Sequence, residues 1–217
     1  MCMVIVKTGE PLTLMGVREE LVDRPWEGPG EYWPEYPGVV GGRDLKAGGT
    51  WLAVDRAKRT AAALLNGRGT PAPEQTKISR GDLPLRAVAS GSLPDVDLTR
   101  YDPFHLLLAT PEGTRLWSWD GVRLSEAVLP EGVSVIVNSG LDPDDPRTIA
   151  QAPRFAAAQD WHGLTADAPS SDPSALIIRH ELPDGRVYAS SSVTLLTLGM
   201  DGVGYEFEDF SGWRAIR

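Results

Sequence analysis

Met1-Cys2-Met3-Val4-Ile5-Val6-Lys7 is the stretch on which the reading of this chain turns. Its apolar run predicts a first strand over 2–6, with the single cysteine of the chain at the head of that strand. Removal of Met1 before a small residue is expected, and it places a thiol and a free α-amine on one residue. An α-amine with a pKa of about 7.7–8.0 can accept the thiol's proton near neutrality, which makes the residue a nucleophile with its own base. A cysteine used only for packing has no need of a position that processing would expose. The alternative is a retained Met1 and a Cys2 that is an ordinary apolar strand residue.

Working outward, the composition describes a globular chain with long structured loops. Hydrophobic residues make 41% and charged residues 24% of 217 positions, while 23 Gly and 18 Pro exceed what short turns need. The net charge of −9 gives no general electrostatic case for nucleic acid or an anionic membrane. A small anionic ligand held by local arginines stays allowed. One cysteine cannot form an internal disulfide, and no CxxC or HExxH pairing points to a metal. The beginning lacks a basic segment and its apolar run is too short for a signal peptide. No apolar run approaches the roughly 18 residues of a membrane span. The expectation is a soluble, cytoplasmic protein.

The chain reads as one α+β domain over 1–217. A second strand is predicted over Leu12–Met15, with Arg18 and Glu20 just beyond it. A long loop over about Asp23–Gly42 is rich in Pro, Gly and aromatics, among them Trp26, Tyr32, Trp33 and Tyr36. Strands follow at Thr50–Val54 and Thr60–Leu65, then a loop over 67–81 and a short helix over Asp82–Ala89. Further strands are expected at Phe104–Ala109, Arg115–Trp119, Val122–Ala127 and Val133–Val137, with Glu112-Gly113 and Asp120-Gly121 at hairpin spacing. A helix over Thr148–Trp161, a loop over 163–174 and strands near Val187–Leu198 and Val203–Phe210 complete the pattern.

Three motifs together resemble a known family. They are Met1-Cys2 with Gly16-Val17-Arg18-Glu19-Glu20 and Asp23-Arg24-Pro25; Gly41-Gly42-Arg43-Asp44 leading to Gly48-Gly49-Thr50-Trp51-Leu52-Ala53-Val54; and Ala61–Leu65 with Asn66 and Arg68. Their order resembles the NRDE family, also described as transport and Golgi organisation protein 2-like. Weaker matches at Tyr101–Ala109, Val137–Leu141 and Tyr188–Leu198 extend the likeness over nearly the whole chain. The eponymous Asn-Arg-Asp-Glu departs here, with Val17 for the Asn and Glu19 for the Asp, while Arg18 and Glu20 are kept. The resemblance implies an N-terminal-nucleophile (Ntn) hydrolase-like αββα sandwich, two antiparallel sheets between helices. It also links the chain to haem trafficking and to lipid or acyl-CoA metabolism, with the chemistry unsettled.

Two functions follow. As a cysteine Ntn-type hydrolase of amide or thioester bonds, the chain would use Cys2 as nucleophile. The resemblance makes Arg18 the cation beside the thiol. Glu20 would orient Arg18 or the amine. Asn66, Gly49 or Thr50 would supply oxyanion donors, with Asn138 the weaker candidate for that task. Each has a plain alternative: a surface charge cluster for Arg18 and Glu20, Asn-Gly or Asn-Ser turns for Asn66 and Asn138, a positive-φ turn for the glycines. As a carrier or chaperone, the chain would hold a hydrophobic anion such as haem or acyl-CoA. Trp33 and its aromatic neighbours would then form a wall, and Arg18, Arg24, Arg43 and Arg68 would meet carboxylates or phosphates. No cofactor is required by the first function, and haem is a ligand under the second. His105, His162 and His180 lack metal-ligand spacing, and nothing in the sequence selects one as a haem ligand. The Ser190–Ser192 run reads as strand polarity, with one hydroxyl at the site as the lesser option.

Overall fold

The computed structural model describes residues 3–210, 212 and 214–216; Met1 and Cys2 lie outside them. In chain order the strands begin with β1 (Met3–Thr8), β2 (Leu12–Leu21), β3 (Trp26–Gly30), β4 (Val39–Asp44), β5 (Leu52–Asp55) and β6 (Thr60–Asn66). Helix α1 (Leu83–Ser90) precedes β7 (Phe104–Thr110), β8 (Gly113–Trp119), β9 (Leu124–Val128) and β10 (Gly132–Val137). After α2 (Pro146–Ala157) come β11 (Arg179–Glu181), β12 (Val187–Gly199), β13 (Gly202–Glu208) and β14 (Arg214–Ala215). They form two antiparallel sheets. One is ordered β10-β1-β2-β12-β13-β14, with β11 also on β12, and the other runs β3 to β9 in sequence order.

Period-two alternation sorts the side chains into layers. Val4, Val6, Leu12, Leu14, Leu196 and Leu198 face Leu52, Val54, Ala61, Ala63, Leu65 and Leu107 between the sheets. Their neighbours Met3, Ile5, Met15, Val17 and Val193 turn outward onto Phe155 of α2 and Trp161 beyond it. On the other sheet Ala62, Leu64, Phe104, Leu106 and Leu108 turn outward onto Leu83, Leu85, Ala87 and Val88 of α1. The result is helix, sheet, sheet, helix: the expected αββα sandwich. Strands buried on both faces explain the near-continuous apolar runs in β1 and β6.

Several boundaries differ from the sequence reading for identifiable reasons. Strand β2 extends to Leu21, because the 13-residue β12 pairs with it from Leu198↔Leu12 to Tyr188↔Leu21. Arg18 and Glu20 therefore sit within a strand, not after one. The segment expected to be a loop over Asp23–Gly42 holds β3 and the start of β4, paired through Trp26↔Asp44 and Gly30↔Gly41 around an irregular register that its glycines and prolines conceal. Helix α2 starts at Pro146, two residues before the expected Thr148. Asp145 caps it by accepting from the Arg147 amide at 2.9 Å, and Pro146 takes the first helical position, where no amide is needed. The short strands β11 and β14 carry too few residues for a pattern to register.

Candidate active site

The register of β1 and β2 places the site. Met3 pairs with Val17, so Arg18 stands one residue beyond the first described residue of β1. By alternation Arg18 falls on the inter-sheet side with Leu12 and Leu14, and it is 3% exposed. Its Nη1 donates to Ser191 Oγ at 2.7 Å. Its guanidinium carbon lies 4.5 Å from the ring centre of Trp51 and 5.3 Å from that of Trp26, and the two indoles meet edge to face at 5.8 Å. Buried guanidinium charge over indole faces is favourable, because the ring quadrupole acts with little water between.

A cavity of about 290 Å³ opens here, lined by Arg18, Glu20, Arg24, Gly49, Thr50 and Asn66, with Trp51, Arg80 and Gly81 completing its wall. Six residues singled out in the sequence thus converge on one depression. Not all of them have free chemistry. Arg24 forks onto Asp44 through Nε at 2.5 Å and Nη2 at 3.1 Å, and the Glu20 carboxylate lies 3.7 Å from the same Nε. Burial alone would raise the Asp44 carboxyl. The Arg24 bond and the Ala47 and Lys46 amides outweigh it and hold the group below the usual carboxylate range. The Asp44 bond in turn raises Arg24. Glu20 also accepts from the Leu21 amide at 2.9 Å. Glu20, Arg24 and Asp44 form a closed ionic unit on the rim.

The glycine-rich turn is held from two sides. Gly48 adopts φ +78°, and its carbonyl accepts from Trp33 Nε1 at 2.9 Å. A Cβ on Gly49 would stand 2.4 Å from the carbonyl carbon of Gly81, while the Thr50 amide donates to the Gly81 oxygen at 2.8 Å. The Thr50 hydroxyl is likewise occupied, bridging the carbonyl and amide of Leu52 at 2.8 and 3.1 Å. Gly49→Ala is accordingly expected to destabilise the protein by about 1–3 kcal/mol, because the obstructing atoms are main chain and cannot rotate away. Chemical denaturation measures this, and an unchanged midpoint would refute the close approach.

The remaining candidates distribute around this center. Asn66 ends β6 opposite Phe104 and is exposed to the cavity. Asn138 lies just past β10 in an adjacent cavity of about 310 Å³, together with Arg68, Arg147, His180 and Tyr188; Glu19 lines both cavities. The Asn138 Oδ1 is buried with no hydrogen-bond partner among the described residues. Its main-chain oxygen is 3.2 Å from His105 Nε2, so that nitrogen is the donor and Nδ1 accepts from the Ser118 hydroxyl at 2.7 Å. Burial lowers the His105 pKa, opposed by the Asn138 carbonyl, and the ring serves as a neutral brace. Trp33 packs in the α1-side cluster and lines neither cavity. Arg43 points to Glu27 at 4.0 Å and to the Tyr32 ring, also outside both. Arg68 is exposed and borders a third depression containing His105 and Arg123. Cys2 falls outside the described residues. Among those residues no cluster of His, Asp or Glu is arranged to hold a metal ion, and no helix is long and apolar enough to cross a membrane.

One participant escaped the sequence reading, and two that it had ranked low or assigned elsewhere take part. Glu19 turns to the face opposite Arg18 and forms a buried bidentate ion pair with Arg147 of α2. Ser191, within a run read as strand polarity, meets Arg18. Trp26, assigned to a loop, closes over the Arg18 guanidinium. The available signal was three consecutive charges, Arg18-Glu19-Glu20, in register with an apolar strand: a strand buried on both faces must provide partners for them.

This layering of two antiparallel sheets between helices is the N-terminal-nucleophile hydrolase-like fold. The C2A mutant of conjugated bile acid hydrolase from Clostridium perfringens superposes with a TM-score of 0.57 over 100% of this chain and 92% of that one, at 9% identity. Penicillin V acylase from Agrobacterium tumefaciens does so with a TM-score of 0.52 over 99% and 86%, at 14% identity. At such identities the superpositions show a shared fold alone. The chain belongs to the Transport and Golgi organisation 2 family, whose model matches residues 1–193. No curated protein matches it by sequence.

Proposed function

We propose that the protein is a cysteine hydrolase that cleaves an amide or thioester bond of a small acyl compound, with Cys2 as nucleophile once Met1 is removed. The observation that carries this reading is the buried Arg18, one residue beyond the Val17–Met3 pair and lining a cavity with Asn66. A fixed cation beside the start of β1 favours a thiolate over a thiol there. The two structural neighbours are a conjugated bile acid hydrolase, as its C2A mutant, and a penicillin V acylase, which supports a hydrolytic reading.

The steps balance without a cofactor. The Cys2 amine takes the thiol proton, and Sγ bonds to the acyl carbon as the carbonyl oxygen gains negative charge. Asn66, which lines the same cavity as Arg18, is the side-chain amide that would donate to that oxyanion. The tetrahedral intermediate collapses by breaking the bond to the leaving amine or thiol, which departs with the proton held by the α-amine. Water then adds to the thioester, giving up a proton to the same amine, and the C–S bond breaks to release a carboxylic acid and the Cys2 thiol. The carrier reading has less support here, since Arg24 is tied to Asp44 and Arg43 lies outside both cavities.

Intact mass of the native protein and turnover on a panel of acyl amides and thioesters test the proposal together. A mass lacking Met1 is expected, with a panel member hydrolysed and its turnover lowered about 10³-fold or more in Cys2→Ala and Cys2→Ser. Retention of Met1, or undiminished turnover in Cys2→Ala, would refute it and leave the carrier reading ahead.

A further inference from the structure

Strand β12 carries one residue more than its partner. Ser190 stands opposite Glu19 and Ser192 opposite Arg18, so Ser191 between them has no counterpart on β2. An extra residue of this kind bends a strand and re-aims a side chain. Here the re-aimed group is the Ser191 hydroxyl, which accepts from Arg18 Nη1 at 2.7 Å and lies 3.3 Å from the Arg18 carbonyl oxygen as its donor. A hydroxyl has one hydrogen to give and lone pairs to receive, so it makes both bonds at once. Both go to the same residue, tying the guanidinium back to its own main chain. Trp51 and Trp26 cover the guanidinium, which limits its tilt. The Ser191 bond limits what the indoles leave open, rotation of the fork about the side chain's long axis.

We infer that Ser191 is a positioning residue for Arg18: the bulged hydroxyl aims the guanidinium at the head of β1 and so sets how strongly it acts on the Cys2 thiol. The inference rests on the hydrolase reading above. Ser191 acts through Arg18, and no reacting atom need touch it. The three serines have separate tasks. Ser190 Oγ accepts from the Ile178 amide at 3.0 Å and fixes the β11 side, while Ser192 is 1% exposed within the pairing with β2. Ser191 is the one that meets Arg18.

The test is the pH dependence of alkylation by iodoacetamide in the full-length native protein and in Ser191→Ala, Ser191→Thr and Arg18→Gln. Cys2 is the one thiol in the chain, so the rate reports it alone. The native thiol is expected to titrate below the ordinary value of about 8.5. Ser191→Ala raises it by about 0.5–1 unit, Arg18→Gln raises it further, and Ser191→Thr, which keeps a hydroxyl, restores the native profile. Thermal unfolding of the same samples separates aim from stability, since a loss of stability alone does not move a titration. A native profile that shifts in Arg18→Gln but not in a folded Ser191→Ala overturns the role of Ser191 and leaves the hydrolase reading in place. A native thiol that titrates normally and ignores Arg18→Gln overturns both. If Ser191→Ala does not fold, Ser191→Thr decides: a folded Thr protein with the Arg18→Gln profile overturns the inference, and the native profile supports it.

Discussion

Arg147→Met is expected to lower stability by about 3–5 kcal/mol, the largest structural effect of any single substitution at this site. The guanidinium of Arg147 donates to both carboxylate oxygens of Glu19, Nη1 to Oε2 at 3.1 Å and Nη2 to Oε1, and the Glu19 side chain is only 2% exposed. Methionine fills the volume of the stem but leaves that carboxylate in the interior without its bidentate cation. Arg147 Nε also donates to the Ala175 carbonyl at 3.1 Å, and Gln151 of the same helix donates to the Ser174 carbonyl at 2.7 Å, so the loop over 172–178 loosens with it. That loop walls the cavity containing Asn138, and ligand binding there should weaken alongside stability. A Glu19→Leu/Arg147→Met double variant should recover most of the loss, since two apolar groups leave no buried charge unmatched. Denaturant midpoints measure the cycle. A single-variant loss under about 1 kcal/mol would mean that water reaches the pair and that it is worth no more than a surface bridge.

Why that pair was hidden bears on what a sequence can disclose. The strands of the sandwich were legible because their apolar runs and hairpin turns are local: β1, β6, β7 and β8 fall within two residues of their expected ends, and Asp120 and Glu112 stand at the turns as read. Arg18, Glu20, Asn66 and the Gly48-Gly49-Thr50 turn were legible as candidates through motif resemblance. Their convergence was not, because it depends on which strand lies beside which. Glu19 and Arg147 are 128 residues apart, and Arg18 and Ser191 are 173 apart. Nothing in the local pattern around either residue announces the other. The β3 strand was obscured for a different reason: a glycine-bearing, irregularly paired strand lacks the alternation on which period-two reading depends.

The two faces of β2 explain why a run of three charges is tolerated in the sandwich. Arg18 goes to the cavity side, where indoles and a hydroxyl hold it. Glu19 goes to the α2 side, where Arg147 neutralises it. Glu20 returns to the cavity side at the rim, next to Arg24 and Asp44. Each charge has a distinct partner set, and of the three only Arg18 is both buried and on the inter-sheet side. The carboxylates nearby are committed to other cations, so they do not cancel the field of Arg18 as loose carboxylates would.

From this follows the largest effect on chemistry expected of any residue other than the nucleophile. Arg18→Gln should lower turnover of the cleaved substrate at pH 7 by about 10–10³-fold, corresponding to a thiol pKa that rises by about 1–3 units when a close cation is lost. The sign is set by which form reacts. The native cation depresses the thiol pKa, so thiolate is present above that depressed value; in the variant it forms only as pH climbs through the higher one. The deficit should therefore shrink steadily toward alkaline pH, with KM little altered. Arg18→Lys should fall between the two, because a point charge retains attraction for the thiolate but cannot both lie flat beneath Trp51 and reach Ser191 with a planar fork. Turnover measured from pH 6 to pH 10 on the native and both variant proteins distinguishes the roles. A deficit equal at every pH would show that Arg18 holds the site's shape or meets the substrate, and that the thiol's ionisation is set by something else.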